Sequence, residues 1–583
     1  MYLEELSISR FRSCDRTVVH LHKELTVLVG ENNGGKSNII DAIRLITAPL
    51  NGRRERYAED SDLRHKAAPA NFEIVADYAG LSDTLKGLLI VAVPDPTKDH
   101  ALFGCRYEPE AQNGSRGRFT IWAGKFDTTE PQGGSTGLIR HVYLPPLRDA
   151  QYALGSASAT RVLSLLRQFL PETEKEQFLE SVSRGESASD VLVRMNTDIT
   201  TALGELTGGV RPQAAQVNFG NETIQDVARD LRFKLGDSGA RLDDIRSSGL
   251  GYANLLYMAT VVVELTKARD ADLTLFLVEE PEAHLHPQLQ RLVLEFLLEK
   301  AKKSFEAEPG LGQPEGRIQV VVSTHSPNLT AWVSPKHLVV VRSRKEDDSA
   351  FTHSACVPIA RLGMADEVVG KIDRYLDVTR SALLFGNRAA LVEGIAEAML
   401  LPLFARRFVL SKDPEAMMRF NGTVLVPIDG VDFRPYVEIL LRAYEGVRIA
   451  DRVVVITDAD PSVPGCRKEE LEAFATELNA ADKLHVYTNR VTFEHELFTA
   501  ANKGLLKAVF LGLHPRSEAR WNEKIEALAE SDQPDAFLDL LLTSKTRKGD
   551  FAQGIAGKLE AGAPFEIPEY LRQAITKIAE TWN

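Results

Sequence analysis

Leu25-Thr-Val-Leu-Val29-Gly30-Glu-Asn-Asn33-Gly34-Gly35-Lys36-Ser37 decides the fold of the first half of the chain. Its apolar and β-branched opening reads as a buried strand. Gly30 to Ser37 fits the phosphate-loop pattern G-x-x-x-x-G-K-[ST], and Asn38 to Ile46 carries apolar residues at helical spacing. Strand, glycine-rich loop and helix in that order let backbone N–H groups turn toward a phosphate, and the helix N-terminus adds partial positive charge. Gly30, Asn33, Gly34, Gly35, Lys36 and Ser37 are the expected contacts to ATP. Lys36 would reach the β- and γ-phosphates, and the Ser37 hydroxyl would sit on Mg²⁺.

Further along, the apolar strand Leu273–Val278 empties into Glu279 and Glu280. In a nucleotide enzyme such a pair holds Mg²⁺ and polarises a water: Glu279 would bind the metal through water, and Glu280 would be the general base. Ile318–Val322 is another strand, ending in Ser323-Thr-His325; His325 could contact the γ-phosphate, a structural loop histidine being the commoner alternative. Ser247-Ser248-Gly249-Leu-Gly251 opens a helical run and could hold a second phosphate face, a plain helix cap being the even alternative. His284 and His286 lack the i, i+4 spacing of a helical zinc pair and read as packing or loop residues.

With 583 residues the chain exceeds one core, so two or three domains are expected. No apolar run is long enough to span a membrane, and the acid-bearing MYLEELSISRF is not a signal peptide. Four cysteines without a C-x-x-C argue against a zinc or disulfide framework and for a reducing, cytoplasmic setting. A net charge of −13 argues against a chain coated in basic surface, but a local patch or metal-bridged phosphates still allow nucleic acid. Arg53–Arg56 and Arg406-Arg407 read as solvated faces rather than phosphate contacts, by about two to one.

The last third alternates β and α. Ala389–Val392 ends in Glu393-Gly394, and the next helix carries Glu397, one turn on. Thr423–Ile428 leads to Asp429, Arg452–Ile456 to Asp458-Ala-Asp460, and Lys483–Tyr487 is a fourth strand. Alternate residues at a strand end point one way, so Asp458 and Asp460 form a pair. Carboxylates at the C-terminal ends of parallel strands mark a site, and clustered hard oxygens suit Mg²⁺ or Mn²⁺.

The four nucleotide motifs over residues 1–345 resemble the ABC-type ATPase head of the SMC and RecF kind. The resemblance implies a dimer that sandwiches ATP, with Ser248 and Gly249 acting on nucleotide held by Lys36 of a second copy. The chain departs from that pattern in having SSGLG for LSGGQ and Glu279 where Asp is commoner. It also lacks the coiled-coil heptads of a long-armed SMC protein. Glu393-Gly394, Glu397 and Asp458-x-Asp460 resemble a Toprim domain. An ABC-type head followed by Toprim is similar to the overcoming lysogenization defect (OLD) family of nucleases.

That resemblance implies an α/β protein with four segments. An ABC-type (SMC/RecF-like) P-loop ATPase domain would span 1–154 and 236–378. Residues 155–235, whose runs RVLSLLRQFL and SASDVLVRMNTDITTALGEL read as amphipathic helices, would be an insert and the dimerisation element, and a Toprim domain with a helical extension would span 379–583. It also implies that Glu494 completes a second metal site and that Lys548 stabilises charge on the scissile phosphate, with Glu496 and Lys545 as close alternatives; Asp429 is a further outer acid. The expected activity is an ATP-regulated DNA endonuclease using two Mg²⁺ or Mn²⁺ held by Glu393, Glu397, Asp458, Asp460 and Glu494. Double-stranded DNA, at least a second copy of the chain, and an anti-phage setting with a further protein or nucleic-acid partner would go with it. A DNA sensor with a non-catalytic Toprim and a primase- or topoisomerase-like enzyme are the alternatives.

Overall fold

The computed structural model describes all residues except 51, 53, 55, 65–69, 110–116, 147–189, 208–212, 219–231, 238–242, 245–249, 268–270, 284, 311, 346–351, 460–465 and 582–583. The chain folds as two compact units, Met1–Ala360 and Arg361–Asn583.

In the first unit, strands β1 (Tyr2–Phe11), β2 (Cys14–His20), β3 (Leu25–Val29), β4 (Ala48–Pro49), β5 (Phe72–Ala79), β6 (His100–Glu108), β7 (Arg118–Ala123) and β8 (Ile139–Leu144) precede the central segment. That segment carries β9 (Gln213–Asn218), β10 (Arg232–Asp237) and β11 (Asp243–Asp244). Strands β12 (Leu273–Glu279), β13 (Arg317–Ser323), β14 (Leu338–Lys345) and β15 (Thr352–Pro358) close the unit. Among the described residues they form an antiparallel sheet, β2-β1-β5-β6-β7, and a larger sheet, β15-β14-β3-β13-β12-β8-β4, parallel except at β15. Strands β3 and β12 are buried along their whole length, as a parallel sheet covered on both faces requires. The helix Lys36–Ile46 buries Ile39, Ile40, Ile43 and Leu45 in one cluster with Leu6 and Ile8 of β1, Phe72 and Ile74 of β5, and Leu275 and Leu277 of β12. That cluster fastens the phosphate loop's helix to both sheets.

The segment expected to be a helical insert is only partly described. Asp190–Thr207 is a helix, but β9, β10 and β11 pair as a small antiparallel sheet. In β9, Gln213, Ala215 and Val217 are buried at a period of two, and the helix's Asn196 and Thr200 bond the β9 backbone. The helical reading fails here because a two-residue period over six residues is too short to stand out beside a longer helix. Residues 155–189 of the insert lie outside the described residues. Arg54 and Arg56 are not free-standing surface charges either: Arg54 donates to the carbonyls of Leu45 and Thr47, and Arg56 pairs with Asp41 and Asp62.

In the second unit, β16 (Arg388–Val392), β17 (Val424–Pro427), β18 (Arg452–Thr457) and β19 (Leu484–Thr488) form a parallel sheet in the order β17-β16-β18-β19. Ala390 and Val392 of β16 and Val454 and Ile456 of β18 pack into one cluster with the helix Ile395–Phe404 and with Phe510, Trp521, Phe537 and Phe551 of the C-terminal helices. No described helix is long and apolar enough to cross a membrane.

Candidate functional site

Register sets both sites. In the first unit β3, β13 and β12 run parallel, with Ser323 opposite Leu28 and Glu279 opposite Ser323. The phosphate loop, the Thr324-His325 turn and the Glu279-Glu280 pair therefore leave the same end of three adjacent strands. Gly30 has φ 138 and Gly35 φ 106. A Cβ on Gly30 would lie 2.2 Å from the Val341 carbonyl oxygen, and one on Gly35 would lie 2.1 Å from Ser354 Oγ. Only glycine meets both conditions. Asn33 adopts φ 64, and the backbone of Gly34 passes close to Val341.

Lys36 Nζ donates to the carbonyls of Gly30 and Glu31, both at 2.8 Å, and lies 3.3 Å from His325 Nδ1. Burial lowers the Lys36 ammonium to about 8. Ser37 donates to Glu279 Oε2 at 3.1 Å and Tyr143 to Oε1 at 3.3 Å, and burial raises the Glu279 carboxyl above its ordinary value. Glu280 sits at φ 46, with its Oε1 3.6 Å from His325 Nε2. Such a backbone costs about 1–3 kcal/mol. Burial of Leu273, Leu275, Phe276 and Leu277 on the preceding strand, at about 1.5–3 kcal/mol each, outweighs it. Glu282, which sequence reading passed over, accepts from Thr324 Oγ1 at 2.7 Å and from the His325 N–H at 2.8 Å, and so fixes the histidine turn. Ser248 and Gly249 lie outside the described residues, as does His284; His286 is the residue just before the helix Pro287–Glu306.

In the second unit Val392 is the register partner of Ile456, so Glu393 and Thr457 leave neighbouring strand ends together. Glu393 Oε1 accepts from the Asp458 N–H at 2.7 Å, from Arg467 at 2.8 Å and from the Thr457 hydroxyl. Asp458 is 8% exposed, and its Oδ1 accepts from the Asn489 side chain. Glu397, in the first turn of the helix Ile395–Phe404, and Glu494, in the short helix Phe493–Leu497, are also buried. Lys548 Nζ lies 3.2 Å from Glu494 Oε2, an ion pair off the hydrogen-bonding direction that leaves both Glu494 oxygens buried without a donor. By contrast, Glu496 is held by the N–H and guanidinium of Arg490, and Asp429 by Arg380. Lys545 sits at φ 54 at the end of the preceding helix. Asp460 lies outside the described residues.

Burial first, then the neighbouring carboxylates, raises Asp458 and Glu397 to about 7. Lys548 is raised too: burial pulls it down, but Glu494, Asp458 and Glu397 more than offset that. A group of buried carboxylates, with both Glu494 oxygens lacking a hydrogen-bond partner, is short of positive charge, and hard divalent cations suit such oxygens. The acids do not yet close around a point. Among the described residues, a set of three histidine or acid ligand atoms comes within 4.8 Å only at His22, Glu24 and His337. Sequence reading missed Arg467, Asn489 and Thr457, whose roles depend on strand register rather than on motif.

Comparison with known proteins places these two units. Residues 1–98 and 166–330 match an AAA ATPase domain model, and residues 384–460 match the overcoming lysogenization defect protein-like TOPRIM domain. The chain is 24% identical to the Old nuclease of Escherichia phage P2 over 68% of this chain and 69% of that one. It is 24% identical to the OLD nuclease of Thermus scotoductus (71% and 75% covered), and 21% identical to the endonuclease GajA of Bacillus cereus (75% and 72%). Among solved structures, an SMC head bound to the C-winged helix domain of ScpA aligns with 61% of this chain and 98% of its own, at 18% identity and a TM-score of 0.41. The chain thus carries an ATPase domain followed by an OLD-like TOPRIM domain, and it is similar to these OLD-type nucleases over 68–75% of its length.

Proposed function

We propose that this protein is an ATP-binding, divalent-metal-dependent DNA endonuclease whose chemistry lies in the second unit. The observation that carries the reading is the grouping of Glu393, Glu397, Asp458 and Glu494 with Lys548 at the C-terminal ends of a parallel sheet. Those acids together with Asp460 would hold two Mg²⁺ or Mn²⁺. Such a pair of cations activates water and steadies the leaving oxygen in an in-line displacement. Lys548 sets its ammonium beside the acids, where it would meet charge developing on the scissile phosphate. Arg467 and Asn489 aim Glu393 and Asp458, so the carboxylates are oriented before substrate arrives.

In the first unit Lys36, Ser37 and Glu279 would hold ATP with Mg²⁺, Glu280 would take the proton of the attacking water, and His325 would face the γ-phosphate. A second copy of the chain would contribute Ser248 and Gly249, and the segment 155–235 would join the two copies. ATP binding would then position the nuclease on double-stranded DNA. An anti-phage role in the cytoplasm is part of this reading, and the relatives' names support its nuclease half. The first test is nicking of supercoiled plasmid in Mg²⁺ or Mn²⁺ by the wild-type protein and by Asp458→Ala. Cutting by the wild type alone supports the reading, and equal cutting by both removes it.

A further inference from the structure

We propose that the ATPase unit carries a separate transition-metal site, formed by His22, Glu24 and His337, that takes one Zn²⁺-class ion and clamps the starts of β3 and β14. Each of the three side chains offers one ligand atom, and these atoms lie within 4.8 Å of one another. A tetrahedral Zn²⁺ with bonds of about 2.0–2.1 Å holds its ligands about 3.3 Å apart, so small side-chain movements close the site.

The histidine tautomers are set by the backbone. His337 Nδ1 lies 3.0 Å from the Leu25 carbonyl, which can only accept, so Nδ1 carries the proton and Nε2 keeps a free lone pair. The Glu24 N–H can only donate, and it meets His22 Nδ1 at a long 3.3 Å. His22 Nδ1 therefore carries the lone pair and accepts this long bond, which an ion bound at Nδ1 would replace. The rings lie edge to face with centroids 4.4 Å apart. His22 is pinned at both backbone atoms, its N–H donating to Thr26 Oγ1 at 2.8 Å and its carbonyl accepting from the buried Gln319 at 3.0 Å. His337 is 3% exposed and ends the turn Pro335–His337 that leads into β14.

Two imidazoles and one carboxylate select Zn²⁺ or a similar ion over Mg²⁺. Lys23, Lys302 and Lys336 lie close enough to act on the charge of His22, so a cation here must be held by ligand bonds rather than by charge alone. The ligands precede β3 and β14, which pair in parallel, whereas the phosphate loop leaves the far end of β3. The ion would thus tie two strand starts together and take no part in nucleotide chemistry.

The test is Zn²⁺ binding to the full-length protein, stripped with chelator and titrated in excess Mg²⁺, which fills hard-oxygen sites. The wild type should take up one Zn²⁺ per chain that Mg²⁺ does not displace. His22→Gln and Glu24→Gln should each weaken that binding more than about 10-fold, the least that loss of an outer-shell partner costs. Melting in chelator checks that each variant folds. X-ray absorption of the Zn²⁺-loaded wild type, which needs no variant, should show two imidazoles in the coordination shell. Uptake unchanged in both variants, no Mg²⁺-resistant uptake by the wild type, or a shell of oxygens alone would overturn the proposal.

Discussion

The backbone N–H of Asp458 donates to Glu393 Oε1 at 2.7 Å, which locks the first acid of one strand end to the first acid of its neighbour. The bond follows from register, because Val392 opposite Ile456 brings the two strand ends level. Glu393 thus holds the Thr457–Asp458 turn through one oxygen, and the proposed function assigns the other to a cation. Glu393→Gln keeps an acceptor for that N–H but loses the charge. It should abolish metal-dependent cutting while leaving the melting temperature within a few degrees of wild type. Plasmid nicking and calorimetry on the same preparation check both halves.

The pH dependence has a defined sign. Glu397 and Asp458, with ordinary values of 4.5 and 3.8, are raised to about 7 in the folded protein. Between roughly pH 4 and 7 the folded state therefore holds more protons than the unfolded one, so metal-free stability falls as pH rises through that window and levels off above it. Cation binding needs the deprotonated forms. The melting shift produced by Mn²⁺ should be larger at pH 8 than at pH 6, and Glu397→Gln with Asp458→Asn should flatten that difference.

Lys548 and Lys545 separate cleanly in the structure. Only Lys548 pairs with Glu494, while Lys545 occupies the turn three residues earlier. Lys548→Ala should lower the cutting rate about 100- to 1,000-fold, the size of loss expected when one preorganised charge partner is removed. Lys545→Ala should stay near wild type. Single-turnover cleavage rates of the two variants decide the matter, and similar losses in both would count against this placement.

The phosphate loop offers a graded steric test. Alanine at Gly30 meets a backbone carbonyl, whereas alanine at Gly35 meets the rotatable side chain of Ser354, and both positions have positive φ. Gly30→Ala should be the more damaging, costing about 1–3 kcal/mol in backbone strain alone before the clash is counted. Thermal melts and binding of a fluorescent ATP analogue should rank wild type above Gly35→Ala, and Gly35→Ala above Gly30→Ala.

Much of this fold was legible in the sequence because its signals are local. The phosphate loop is one contiguous run between a strand and a helix, and β16, β17, β18 and β19 are short apolar runs, most of them leading to acids at fixed offsets. What escaped reading depends on contacts distant in sequence. Arg467 reaches Glu393 across 74 residues and Asn489 reaches Asp458 across 31, and nothing in either local sequence points to the partner. Glu282 looks like one more acid in a polar turn until the Thr324-His325 turn packs on it. Strand β2 begins after a tight turn with Arg10 and Arg12 at positive φ, a conformation that non-glycine residues seldom adopt and that no local residue type announces.

The most direct measurement is nicking of supercoiled plasmid by wild type, Asp458→Ala and Lys36→Ala, in Mg²⁺ and in Mn²⁺, with and without ATP. The account predicts that wild type cuts, that Asp458→Ala does not under any condition, and that Lys36→Ala still cuts but no longer responds to ATP. Cutting by Asp458→Ala at the wild-type rate would contradict it, because the chemistry would then lie outside the carboxylate cluster.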